Sequence, residues 1–168
     1  SRMCSRTGCS TPAIATLTNA PQLGGPGLIE TWNVGSPPLN AVYRNGRLWT
    51  VTHAPGGAGM MVRHFEFNVT AWPTVTIAST AGLSSATRWY FWPAVNVNSF
   101  GDAVMGFTST ATTEYTGIRL AERFAEDAAF GSSQLLKAGE DYFGADGDAT
   151  GTLRRWGDYS GVAVDPAD

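Results

Sequence analysis

Short segments in which polar and apolar residues alternate run through most of this sequence, separated by turn residues. In LNAVYRNGRLWTVTHA (39–54), two such segments flank Asn45-Gly46. An Asn-Gly pair between alternating segments is typical of a β-hairpin, because both residues tolerate the positive φ of a type I′ turn. In the second arm, alternation places Trp49, Val51 and His53 on one face. The sequence therefore predicts two antiparallel strands joined at Asn45-Gly46.

Further segments extend this hairpin and then repeat it. MMVRHFEFNV (60–69) places Met61, Arg63, Phe65 and Phe67 on one face, and PTVTIAS (73–79) is short and β-branched. The same plan recurs in the segments YFWPAVNVN (90–98), AVMGFTST (103–110), EYTGIRLAERF (114–124) and QLLKAGEDYF (134–143). Four short antiparallel strands repeated at about 50 residues are typical of a β-propeller. We expect an all-β fold of four-stranded antiparallel propeller blades.

Two segments have conflicting patterns. IRLAERFAEDAAF (118–130) contains good helix formers, so propensity alone predicts a helix. Its place in the repeat instead predicts a strand to about residue 123, followed by an irregular or briefly helical excursion, and leaves residues 124–138 undecided. Pro93 is acceptable only near the start of a strand or in an edge strand, because it has no N–H to donate.

The repeat divides the chain into four parts. Residues 1–38 are an irregular N-terminal segment with the end of a preceding blade, 39–80 and 88–143 are blades, and 152–168 are the first strand of a further blade. Because known propellers have at least four blades, the ring is incomplete in this chain. We expect a fragment of a longer protein, or a ring completed by copies of the same chain.

Composition limits the partners and the compartment. The net charge is −3, with no basic block, so duplex nucleic acid is not an expected partner. No apolar run approaches the 18 or so residues of a transmembrane span. Cys4 and Cys9 in CSRTGC are spaced to close a small disulfide loop, which fits an oxidising compartment. The other interpretation, half of a metal site, lacks further ligands nearby.

Three stretches also resemble a known group of proteins. LNAVYRNGRLWTVTHA, FWPAVNVNSFGDAVMGF and RWGDYSGVAVDPAD are similar to segments of uncharacterised secreted bacterial proteins with sialidase-like or BNR-type propellers. The resemblance covers about residues 39–168. It implies a propeller and an extracellular or cell-surface location, but no activity. The arginine cluster, Tyr–Glu pair and acidic Asp of a working sialidase are not identifiable, and the Asp-box pattern is absent.

The densest cluster of unusual residues is RRWGDYSG (154–161), which supplies the candidate ligand-binding residues Arg155, Trp156, Asp158 and Tyr159. Arginine and aromatic rings beside a carboxylate can bind a sugar or an anion. The favoured interpretation is structural: Asp158 accepts backbone N–H bonds in a turn opened by Gly157, and Trp156 packs between blades.

Two other groups are weighed as metal sites. GEDYFGADGDATG (139–151) includes Asp146 and Asp148, whose carboxylates are weak candidates for Ca²⁺, and a solvated loop is the favoured interpretation. No other cofactor is expected. His53 and His64 lie on facing arms of one hairpin. Its turn places His64 opposite residues 49–51, so the imidazoles should not meet as a zinc pair.

The aromatic run RWYFWP (88–93) is a candidate ligand platform. Strict alternation sends Trp89 and Phe91 to one face and Tyr90 and Trp92 to the other. Packing between neighbouring sheets explains that arrangement without a ligand.

These observations predict a non-catalytic propeller segment of an exported bacterial protein, for recognition or assembly. Its partners are further blades of the same protein or copies of the chain, with a glycan as a candidate ligand. Two alternatives remain open: a fragment of a sialidase-like glycoside hydrolase, and a lectin that assembles its propeller from several chains. Enzymatic activity is not the favoured interpretation.

Overall fold

The computed structural model describes residues 3–5, 8–10, 17–31, 37–144, 153–157 and 159–165, the first two ranges by their backbone alone. These residues form an all-β structure without a helix. The strands are β1 (Met3–Ser5), β2 (Gly8–Ser10), β3 (Leu28–Ile29), β4 (Asn40–Arg44), β5 (Arg47–Gly56), β6 (Gly59–Asn68), β7 (Thr76–Leu83), β8 (Trp89–Val97), β9 (Ala103–Ala111), β10 (Glu114–Arg123), β11 (Gln134–Lys137) and β12 (Leu153–Arg154).

Strands β4 to β7 form a four-stranded antiparallel sheet in sequence order, called sheet A here. Its first hairpin turns at Asn45-Gly46, between the paired residues Arg44 and Arg47. Asn45 has a φ of 49° and Gly46 a φ of 75°, the positive values that a type I′ turn requires. The predicted hairpin is confirmed. The fourth strand runs from Thr76 to Leu83 rather than over 73–79.

Strands β8 to β11 form a second antiparallel sheet, sheet B, in the order β11-β10-β9-β8. Edge strand β8 tolerates Pro93, which lies at a register shift between Phe91 and Ala94. Trp92 there has a φ of 50°, which bulky residues rarely adopt. The shift breaks the alternation, so Trp92 packs with Phe91 and Trp89 rather than with Tyr90. The prediction from strict alternation was therefore wrong for Trp92.

The contested region after residue 114 is a strand. β10 ends at Arg123 and is paired with β9 over residues 117–123, so sheet pairing outweighs helix propensity there. The prediction of a strand to about residue 123 is confirmed. Residues 124–133 are irregular, with one turn at 125–126, and the fourth strand of sheet B is short, Gln134–Lys137 rather than 134–143.

The main core lies between the two sheets. Strand β8 lies against β4, β5 and β6, so the sheets pack face to face. The inner face of sheet A presents Trp49, Val51 and Val62, which form one buried cluster with residues of sheet B, among them Tyr90, Val95, Val97, Ala103, Met105, Phe107 and Ala121. Burial of about 25 cal/mol per Å² of apolar surface makes this interface the main stabilising contact of the fold.

The chain ends add small pairings. β3 pairs in parallel with β12, and Ala20 bridges Ile29. In the β1–β2 pair, Cys4 is directly opposite Cys9. Among the described residues of the range expected to start a further blade, Leu153–Arg154 form a strand and residues 159–165 lie outside any strand.

Candidate functional site

A buried ion pair joins the two sheets. The Arg123 Nη1 atom on β10 lies 3.0 Å from Glu66 Oε2 on β6, and the two side chains are only 9% and 10% exposed. The Arg123 guanidinium also stacks over the Trp49 ring at 4.8 Å and donates from Nε to the Asp127 carbonyl at 2.8 Å. Arg47 Nε is 3.6 Å from the other Glu66 oxygen. Because the desolvated charges satisfy each other, the pair fixes the lateral position of the two sheets.

His64 is buried next to this pair. Its ring stacks with Trp49 at 6.2 Å and meets Phe130 edge-on at 5.1 Å, and Nε2 is 3.2 Å from the Ser79 hydroxyl. Burial, with the Arg123 charge as a second cause, lowers the pKa of His64 to about 4. The imidazole is therefore neutral at physiological pH and serves as a packing residue.

His53 is buried at the other end of the inner face. Its Nε2 donates to the Thr31 carbonyl at 3.0 Å, and its Nδ1 accepts the Trp92 N–H at 3.4 Å, a pattern that fits the neutral imidazole. Burial lowers the pKa of His53 to about 4. His64 pairs with Val51 and His53 with Val62, so the predicted register is confirmed.

On each of the two sheets, one asparagine donates its side-chain amide to a backbone carbonyl of another chain segment. Asn40 on β4 donates its amide to the Val95 carbonyl at 2.7 Å and accepts the Val95 N–H at 3.1 Å. Asn96 on β8 donates its amide to the Val162 carbonyl at 2.9 Å, whereas its oxygen accepts the N–H of the adjacent Val97 at 2.8 Å. Each asparagine lies on the first strand of its sheet and binds the backbone of the chain segment that crosses that sheet face. We call this contact the asparagine clamp.

The face of sheet B that points away from sheet A is apolar and partly open. Residues 159–162 lie over it, beside a groove of about 440 Å³. The groove is lined mainly by Val104, Ile118, Leu120, Leu136, Tyr159 and Val162. Leu136 is 66% exposed and Tyr159 68% exposed. We call this surface the outer face of sheet B, and it can hold apolar or aromatic groups.

The predicted ligand-binding residues are not presented together. Trp156 meets Phe143 edge-on at 5.0 Å and packs against a buried cluster that includes Phe91 and Trp92. Arg155 is exposed, and Tyr159 lines the groove on the outer face of sheet B. Asp158 lies outside the described residues, and a ligand-binding role for the four stays a prediction.

The weak calcium candidates Asp146 and Asp148 also lie outside the described residues. Before them, Glu140 pairs with Lys137, and Asp141 accepts the Tyr142 N–H at 2.7 Å. In the ranges that the structure describes, no three His, Cys, Asp or Glu side chains are placed to bind a metal ion.

Sequence reasoning missed the ion pair and both clamps. Glu66 and Arg123 are 57 positions apart, and no local pattern joins them. An available signal was a charged or amide side chain at an inward position of an otherwise apolar face, which requires a partner when buried.

Comparisons of the chain with protein-family models, curated proteins and solved structures found no match. No helix in the described part of the chain has the length and apolar character needed to cross a membrane.

Proposed function

We propose that this chain is a non-catalytic segment of a β-propeller in an exported bacterial protein, and that it serves recognition or assembly. In this proposal sheets A and B are successive blades. Each blade face receives the first segment of the next blade. Further blades of the same protein, or copies of the chain, complete the ring.

The observation that carries the proposal is the repeated asparagine clamp. Asn40 holds β8 against the inner face of sheet A, and Asn96 holds residues around Val162 against the outer face of sheet B. The amide donation of the first contact recurs one sheet further along, as expected for radial repetition of blades.

An exported location is supported by the resemblance of the three motif segments and by the register of β1 and β2. Directly opposite residues of an antiparallel pair have Cα atoms about 4.5–5.5 Å apart, within the range that a disulfide spans. Cys4 and Cys9 are such a pair.

A glycan-binding role is the second candidate, because the exposed Tyr159 ring lies beside the groove. Aromatic rings present a flat apolar surface with a polar tip. A glycan array probed with the chain and with Tyr159→Ala tests this candidate. Binding that the variant loses supports a lectin, whereas no binding rejects it.

The non-catalytic assignment is tested by turnover. We expect the longest natural protein that carries this sequence to hydrolyse no chromogenic glycoside, including sialosides, above a heat-treated control. Saturable turnover that heat abolishes contradicts the assignment and favours the glycoside hydrolase alternative.

A further inference from the structure

We infer that residues 160–164 and the outer face of sheet B together form a strand-addition site, which binds an extended amphipathic β-strand of a partner polypeptide. The inference rests on the proposed function, in which this face receives a further sheet. It adds the chemistry of the first element to bind: a strand whose alternate side chains are apolar.

The backbone of residues 160–164 is open for pairing. Within the described chain, its one hydrogen bond is the clamp from Asn96 to the Val162 carbonyl. An extended segment with unpaired N–H and C=O groups is a template for another strand. Addition of a strand to such an edge draws its affinity from main-chain hydrogen bonds and its specificity from alternate side chains.

The groove beside this segment supplies the apolar floor. A strand paired with residues 160–164 lies about 4.8 Å from them. Every second side chain then points to the floor formed by Ile118, Leu120 and Leu136. The groove of about 440 Å³ accommodates such side chains.

The position of the segment is set by a glycine. A Cβ added at Gly106 would lie 3.1 Å from the Val162 Cγ2 atom, which is tighter than ordinary contact. Gly106 therefore lets the segment lie close to sheet B, while the hydrogen bond from the Asn96 amide fixes the distance of the segment from the sheet. The edge is held ready in position before any strand binds, which reduces the entropy cost of binding.

The molecule contains a template for the bound strand. On sheet A, clamped strand β8 has β9 as its antiparallel neighbour, and Met105 and Phe107 of β9 pack in the core between the sheets. A strand with the pattern of β9 is therefore the closest available probe of the equivalent position beside residues 160–164.

The probe is a synthetic peptide with the sequence of residues 103–111, AVMGFTSTA, flanked by lysines that keep it dissolved. We expect it to slow hydrogen exchange at the amides of residues 160–164 in the 168-residue chain by about tenfold or more at saturation. Two control peptides carry N-methyl groups on alternate residues, one on the odd and one on the even positions. Only one of them should lose binding, because only one edge of the added strand forms the ladder.

A pair of protein variants tests the floor. Leu120→Arg should weaken peptide binding by about tenfold or more, because it places a charge in the apolar groove. Ile77→Arg, an exposed position on sheet A, should leave binding unchanged. Unchanged exchange protection in β5 and β9 shows that each variant is folded.

Three results overturn the inference. The first is no added protection of residues 160–164 at millimolar peptide. The second is equal binding by both N-methylated peptides. The third is a chain that is monomeric by light scattering with these amides already protected, because its own residues then occupy the edge. None of these results depends on glycoside turnover, so the inference and the non-catalytic assignment can fail separately.

Discussion

Replacement of Glu66 by glutamine should strongly destabilise the chain. Glutamine keeps the size of the side chain but leaves the Arg123 guanidinium buried without its counter-ion. Breaking a buried ion pair costs about 3–5 kcal/mol. The lower end applies here, because the Asp127 carbonyl and the Trp49 ring still contact the guanidinium. At about 2–4 °C per kcal/mol for a chain of this size, the melting temperature should fall by roughly 6–12 °C.

Urea unfolding followed by tryptophan fluorescence measures this loss, read as the shift in midpoint at constant m-value. Glu122→Gln is the control, because Glu122 is a strand glutamate on β10 that is exposed. We expect the control to change stability by less than about 0.5 kcal/mol. A double variant, Glu66→Gln with Arg123→Met, should recover part of the loss, because it removes the uncompensated charge.

Equal losses in the free energy of unfolding for Glu66→Gln and Glu122→Gln would show that the buried ion pair does not stabilise the chain. A double variant that is no more stable than Glu66→Gln alone would show that the loss in stability does not come from an unpaired charge between the sheets.

Three further outcomes follow from the structure. The pKa values of His53 and His64, lowered to about 4 by burial, mean that the unfolded chain takes up protons first as the pH falls. The free energy of unfolding should therefore be constant above about pH 6.5 and fall progressively towards pH 4, by at most about 3 kcal/mol per histidine. Calorimetry across that pH range measures this loss. A His64→Phe variant whose stability depends on pH as steeply as that of the unchanged chain contradicts this expectation. Cys4 and Cys9 should resist alkylation in protein from an oxidising compartment until a reductant is added, and mass spectrometry that finds two free thiols contradicts the disulfide. Trp156→Ala should cost about 3 kcal/mol in urea unfolding through lost packing on Phe143, and a stable variant that loses a glycan ligand instead favours the binding-site interpretation.

The strands of both sheets could be predicted because their signals are local. Alternation and the Asn45-Gly46 turn define the β4–β5 hairpin without reference to the rest of the chain. The end of β10 at Arg123 followed from the repeat, since helix propensity over 118–130 is weaker than pairing with β9.

Other features could not be predicted because they depend on long-range packing. The left-handed conformation of Trp92 occurs at the register shift in β8, and its ring lies 4.9 Å from the His53 ring of the other sheet. Neither feature can be read from the local sequence. The contact from Asn96 to Val162 joins residues 66 positions apart. Conversely, the RRWGDYSG cluster is dense in sequence, yet Trp156 and Tyr159 contact different parts of the fold.

What covers the outer face of sheet B decides whether sheets A and B are successive blades of a propeller. The most direct measurement is an experimental structure of the longest natural protein that carries this sequence. We predict a third four-stranded antiparallel sheet on this face, with residues 159–165 as its first strand and the Asn96 amide on the Val162 carbonyl. The same face left bare, or covered by a helix, with residues 159–165 unpaired, would contradict a propeller architecture.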